Sequence, residues 1–304
     1  MNARQQKTIR SGYATTENNI QLHWRVVGEG PPIVCCNGVG VSTFFWKYII
    51  EHYQETHSVL LWDYRGHGLS QRGLDPYTTD MSVTRHAQDL LIVLDAAFPD
   101  SPEQYVLIGH SMGCQVILET YRLLQEKISH LVLLLGTAGN ALSTFGNFSY
   151  SPLVFRAIRR LLLTVGPRAN HLSRPLLSSP IAWPFAHKFA LIDPLYTQKE
   201  DFTPYLDHMA TMDTLLFIQA VWSLQEHSAW ELLPDIQCPT LVFAAEKDTF
   251  TPIDCSQKIT NTIPNATLVH LSDASHAALI EQPEIINYRL DQFLEAGDVS
   301  SPPE

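Results

Sequence analysis

Six short, nearly unbroken apolar runs mark out this chain, and between most of them the apolar residues switch to a spacing of three and four. The runs are Ile33-Val34-Cys35-Cys36, Ser58-Val59-Leu60-Leu61-Trp62, Tyr105-Val106-Leu107-Ile108, His130 to Leu135, Pro239 to Ala245, and Ala266 to Leu271. Runs of this length predict strands, and Ile33 to Cys36, Ser58 to Trp62 and Pro239 to Ala245 read as strands buried on both faces. Ile20 to Val27 alternates apolar with polar residues and predicts a half-exposed strand. Helical spacing is expected from near Ser42, over Ser82 to Ala97, and after Ser111, where Val116, Ile117, Leu118, Tyr121 and Leu124 share a face. It recurs near Ile253 to Asn261 and over His276 to Leu294. Strands alternating with helices imply right-handed crossovers and a mostly parallel sheet flanked by helices, an α/β fold. The polar start, Met1 to Ser11, is expected to fray, and Gly297 to Glu304 to be disordered.

From about Thr137 to Gln225 the alternation stops. Prolines, glycines and aromatics there predict helices and loops without strands. The expected division is therefore a core of residues 1–136 and 226–304, carrying a helical cap of residues 137–225 inserted after the strand that follows Ser111. Its 304 residues make the chain long for one domain and short for two, which suits one α/β domain with an insertion. With 45% apolar and 17% charged residues it is a folding sequence, not a disordered one. No signal-peptide pattern and no apolar run of membrane-span length occur, so a cytoplasmic location is expected. Cys35 and Cys36 are neighbours on a strand and point to opposite faces, so they are poorly placed to bridge each other. Cys114, Cys238 and Cys255 lack metal-ligand spacing, and buried reduced thiols are expected. Asn147-Phe148-Ser149 and Asn265-Ala266-Thr267 match the glycosylation pattern, which carries no weight without a secretion signal.

The candidate chemistry centres on Gly109-His110-Ser111-Met112-Gly113. A strand leads in and a helix leads out, the context that the Gly-x-Ser-x-Gly turn requires. A chain of this length matches the motif by chance roughly one time in ten, so partners must be found. A serine hydroxyl needs a base and an orienting acid, and in open parallel sheets active groups gather beyond the C-terminal strand ends. His276 follows the last strand by a few residues. Asp248 follows the strand before it, and is preferred to Glu246, which is too near its strand, and to Asp273, which reads as a turn residue. The order Ser, Asp, His fits this serine turn. Two backbone N–H donors are expected for an oxyanion, from Met112 and from Val39 in the glycine-rich loop Asn37-Gly38-Val39-Gly40, with Gly38 a substrate-contact candidate. No metal or organic cofactor is called for.

On these residues, with Asp63-Tyr64-Arg65-Gly66-His67-Gly68-Leu69-Ser70, Cys238-Pro239-Thr240-Leu241-Val242 and Glu281-Gln282-Pro283, the chain resembles the α/β-hydrolases of the serine esterase and lipase type over roughly residues 15–296. It departs from their usual pattern at Asn37 (usually histidine), Ala245 (usually glycine) and Ser275 (usually glycine). The resemblance implies an α/β-hydrolase fold and hydrolysis of carboxylic esters, including thioesters, through an acyl-enzyme. The same triad supports carbon–carbon bond hydrolysis or cofactor-free perhydrolysis. From another class, a ligand receptor with a retained hydrolase pocket is the alternative.

Charge singles out the insertion. From Lys127 to Ile192 there are seven basic residues and no acid, a net +7 beside −18 for the rest. Leu153 to Leu163 reads as an amphipathic helix with Arg156, Arg159 and Arg160 on one face. Either those arginines pair with the acidic core, or the cap draws an anionic partner: an acidic substrate held by Arg156 and Arg160, a carrier protein or coenzyme A thioester, or a membrane surface. No nucleic acid is expected.

Overall fold

The computed structural model describes residues 8–145, 150–177, 179, 182–188 and 191–297. Eight strands form one sheet: β1 (Ile9–Thr15), β2 (Gln21–Val27), β3 (Pro32–Cys36), β4 (Ser58–Trp62), β5 (Tyr105–His110), β6 (Ile128–Leu134), β7 (Thr240–Ala245) and β8 (Ala266–Leu271). Their order across the sheet is β1-β2-β4-β3-β5-β6-β7-β8. The pairs β1–β2 and β2–β4 are antiparallel and the remaining five are parallel. The five strands β3, β4, β5, β6 and β7 are buried almost throughout, as their unbroken apolar runs require. Cys36 faces one apolar layer and Cys35 the other, and all five cysteines are unpaired, with Cys238 and Cys255 only half-buried.

The helices that cover the sheet are α1 (Lys47–Tyr53), α2 (Val83–Ala97), α3 (Met112–Leu124), α9 (Ile253–Thr262), α10 (Ala278–Glu281) and α11 (Pro283–Gly297). Ser82 caps α2 by accepting from the Arg85 N–H. Between β6 and β7 run α4 (Ser151–Val165), α5 (Ala169–Leu177), α6 (Ala182–Lys188), α7 (Lys199–Thr211) and α8 (Thr214–Glu226). Among the described residues no helix is long and apolar enough to cross a membrane.

Three local expectations differ from the structure. The N-terminal segment is ordered from Ile9, because β1 pairs with β2 along its whole length and needs no apolar run of its own at a sheet edge. The last helix is two, since Gln282 leaves the helical region and Pro283 starts the second, as proline does at a first helical position. The helix expected near Ser42 begins as a 3-10 turn at Thr43–Trp46 before α1. The residues after 297, the sequon at Asn147, and the aromatic Phe148 lie outside the described residues.

Candidate active site

The strand β5 delivers Ser111 to the C-terminal edge of the sheet, and the turn into α3 is sharp. Ser111 has φ 54° and ψ −113°, a conformation that L-residues rarely adopt. Such a turn needs close contact on both sides. A Cβ on Gly109 would overlap the Gly113 carbonyl, and a Cβ on Gly113 would overlap the carbonyl oxygen of Cys36. The glycine spacing of the motif is thus a packing requirement of β3, β5 and α3.

Above this turn the loop after β8 brings His276, and the loop after β7 brings Asp248. The Ser111 Oγ lies 2.9 Å from His276 Nε2, and His276 Nδ1 lies 2.8 Å from Asp248 Oδ2. Both carboxylate oxygens of Asp248 accept other bonds, from the N–H groups of Phe250 (2.8 Å) and Thr251 (3.0 Å) and from the Thr251 hydroxyl (2.8 Å). An acceptor so occupied takes the Nδ1–H of the imidazole, which leaves Nε2 to accept the serine proton. The Phe250 ring stacks on His276 at 5.0 Å. The rival acids are elsewhere: Glu246 accepts from the Asp273 N–H, and Asp273 pairs with Lys247.

The loop that carries His276 is held from below by Glu281, a buried residue the sequence reading left without a role. Its carboxylate accepts from the N–H and hydroxyl of Ser275 (2.8 and 2.6 Å), the Asp193 N–H (2.7 Å) and the Thr197 hydroxyl (2.9 Å). Ser275, one of the departures from the usual pattern, therefore contributes a hydroxyl that a glycine could not. His110 donates its Nε2–H to the His276 carbonyl (3.0 Å). Burial, with the neighbouring His276, pushes the His110 pKa down to about 3.

On the other side of Ser111 stands the loop 37–40. Asn37 is fully buried; its amide donates to the Trp62 carbonyl (2.7 Å) and its oxygen accepts from Trp46 Nε1 (2.6 Å). Those two bonds give asparagine a firm place where the family usually has histidine. A Cβ on Gly38 would sit 3.0 Å from His110 Nδ1 and 3.3 Å from the Ser111 Cβ, so this backbone passes close beside the serine. Among the described residues the backbone N–H groups of Val39 and Met112 donate to no protein acceptor. Met112 opens α3, where free N–H groups favour negative charge.

Two further histidines fix the same loop. His67 Nε2 accepts from the Gly40 N–H (3.1 Å) and its Nδ1–H donates to the Arg65 carbonyl (3.2 Å). His208, on α7, donates its Nδ1–H to the Gly40 carbonyl (2.9 Å) and accepts the Gly68 N–H at Nε2 (2.8 Å). Burial lowers the pKa of His67 to about 4 and lowers that of His208, which keeps both neutral, each with one donor and one acceptor nitrogen. In the sequence His67 stands only within a motif of the resemblance, with no role of its own, and nothing there singled out His208.

Ser111 and His276 open into a cavity of about 600 Å³. Val39, Phe45, Phe155, Phe202, Phe217 and Phe250 are among its walls, and no described Asp, Glu, Lys or Arg lines it. Gly38 is on the wall; Arg156 and Arg160 are not, and stand exposed on α4. Among the described residues no ion pair joins either arginine to the acidic core, whereas Arg159 lies over the Trp222 ring at 5.3 Å.

A family model described as alpha/beta hydrolase fold matches residues 31–283. RutD of Pseudomonas savastanoi, named provisionally as a carbamate hydrolase, is 30% identical over 91% of this chain and 98% of its own. RutD of Azorhizobium caulinodans, named in the same way, is 28% identical over 90% of this chain and 94% of its own. Among solved structures, an esterase from Exiguobacterium antarcticum superposes with a TM-score of 0.76 at 18% identity, covering 93% of this chain and 98% of that one. At that identity the likeness speaks for the fold alone.

Proposed function

Since the chain belongs to the alpha/beta hydrolase fold family, we propose that it hydrolyses neutral, largely apolar carboxylic esters through an acyl-enzyme on Ser111. The observation that carries this reading is the run of two short contacts, Ser111 to His276 to Asp248, at the floor of an apolar cavity. The Ser111 Oγ attacks the acyl carbon while its proton passes to His276 Nε2, and Asp248 steadies the imidazolium. The N–H groups of Val39 and Met112 receive the oxyanion, where one well-placed donor lowers the barrier by about 3–4 kcal/mol. Collapse expels the alcohol, protonated by His276. Water, deprotonated by the same nitrogen, then attacks the acyl-enzyme and releases the acid. No step calls for a metal or an organic cofactor.

The charge-free wall selects the substrate class. An ionised group taken into that cavity without a partner would lose its hydration at a cost of several kcal/mol. The acidic substrate considered from the sequence therefore has no described counter-charge inside. The RutD relatives favour carbamates as a second substrate class. A neutral carbamate ester would present the same trigonal carbon to Ser111.

The test is labelling by a fluorophosphonate followed by a substrate panel. Wild-type protein should be labelled and Ser111→Ala should not, with the fold unchanged by circular dichroism. p-Nitrophenyl butyrate should turn over at least about tenfold faster, by kcat/KM, than a half-ester of a dicarboxylic acid. Labelling that persists in Ser111→Ala would remove the serine mechanism. Labelling without turnover of any ester or carbamate would favour the carbon–carbon hydrolase or receptor readings.

A further inference from the structure

We propose that the exposed face of α4 is a docking surface for an anionic lipid layer, which brings the mouth of the cavity to the layer's apolar side. The helix has no fully buried residue. Leu153 is 62% exposed, Val154 58%, Ile158 45% and Leu161 63%, and Tyr150, just before the helix, is exposed as well. Single exposed aliphatics are ordinary, but a contiguous strip of four on one helix marks a contact surface.

The order of residues around the helix gives the strip its meaning. At 3.6 residues per turn the sequence around α4 runs Arg156, Arg160, Leu153, Leu161, Val154, Ile158, Phe155. Both arginines are exposed at one edge, and Val154, Ile158 and Phe155 belong to the cavity wall at the other. The side between Phe155 and Arg159 packs on α8, with Phe155 parallel to the Trp222 ring and Arg159 over it. One helix thus grades from cation through aliphatic strip to cavity rim. That is the arrangement of a helix lying in a lipid interface, with aliphatics among acyl chains and guanidinium groups at the level of the phosphates.

Neighbouring features extend the surface. Arg168 is exposed just beyond the C-terminal end of α4. The Tyr77 hydroxyl donates to the Leu163 carbonyl at 3.4 Å, which sets the loop bearing fully exposed Leu74 beside that end. Over Lys127 to Ile192 there is no acid, while the loop bearing Leu74 adds the exposed Asp75. A second copy of the chain fits the same face poorly, because a two-fold contact would set Arg156 and Arg160 against their own counterparts. Anionic headgroups supply the opposite charge together with an apolar layer.

The docking itself does not depend on the ester hydrolase reading, but its functional sense rests on it: apolar esters dissolved in a lipid layer would reach Ser111 without crossing water. The experiment uses the full chain as Ser111→Ala, so that binding is read without turnover. It is sedimented with phosphatidylglycerol–phosphatidylcholine vesicles and with pure phosphatidylcholine vesicles. Binding to the anionic vesicles is expected, weakened by salt. It should fall about tenfold or more in Arg156→Glu/Arg160→Glu, and also in Leu153→Ser/Leu161→Ser. Thermal melts of both double variants verify folding. Equal recovery in the supernatant with both vesicle types would overturn the proposal, as would binding that both variants leave intact. A dimer on gel filtration that Leu153→Ser/Leu161→Ser dissolves would assign the face to a second copy instead. In any of those cases, ester turnover by the wild-type chain would leave the hydrolase reading standing.

Discussion

On the floor of the cavity, the groups around Ser111 are held by several bonds each; on its roof, α4 holds none of its side chains fully buried and turns an aliphatic strip outward. Asp248 accepts three donors besides His276, and Glu281 accepts four. The floor is therefore over-determined, and a change there is felt twice, in geometry and in stability. α4 itself is held by apolar packing, one stacked ring, one cation–ring contact and the Tyr77 hydroxyl, so its outward residues can be exchanged at small cost to the fold. The candidate reacting groups thus stand where the chain is most closely tied, and the outer wall of the cavity stands where residues can be altered.

Four changes would sharpen or break that contrast. Asp248→Asn should reduce kcat by about 10⁴-fold and also lower the melting temperature, because the amide leaves the imidazole in the wrong tautomer and keeps only one oxygen to accept the donors around it. A loss below tenfold in a steady-state assay would mean that the floor is not the reacting centre. Gly113→Ala should cost about 2–4 kcal/mol in urea unfolding, since its Cβ meets the Cys36 carbonyl with no room to yield. An unchanged midpoint would mean that β3 and α3 can part.

Acid should act on the floor next. His67 and His110 titrate near 4 and 3 in the folded chain against roughly 6.5 when unfolded. Between those values the unfolded chain binds more protons, so stability is complete above about pH 6.5 and is lost as pH falls toward 4. A loss of roughly 3 kcal/mol per imidazole by pH 4 is expected, read as melting temperature against pH. A flat profile between pH 6.5 and 4 would mean that these imidazoles reach water. Leu153→Ser should be the mildest change, within about 0.5 kcal/mol of wild type in a thermal melt. A larger loss would mean that this strip is packed in solution.

The same contrast explains what the sequence could disclose. The buried strands were legible because a strand covered on both faces cannot tolerate polar residues; the edge strand Ala266 to Leu271, only half-buried, was bounded to the residue all the same. The Ser111, Asp248 and His276 positions were legible because each must stand just past a strand end. What escaped had no local pattern. β1 takes its order from β2, not from its own apolar content. Glu281, Thr251 and His208 act across 6, 3 and 168 positions on Ser275, Asp248 and Gly40, and spacing of that kind leaves no periodic trace. The roof's charge was visible as composition, but whether Arg156 looks inward or outward depends on how α4 is rotated over α8, which packing alone decides.

His208 joins these two regions in a single side chain. Rooted in α7 among the roof helices, it grips Gly40 and Gly68 with its two ring nitrogens. Lifting α7 to admit a bulkier guest would pull on the very backbone that must stay still for the carbonyl to be polarised. On the proposed mechanism, width of entry and speed of bond cleavage would be traded against each other through one imidazole. Variants bred for larger substrates should accumulate compensating changes around residues 40, 68 and 208 before they regain their pace.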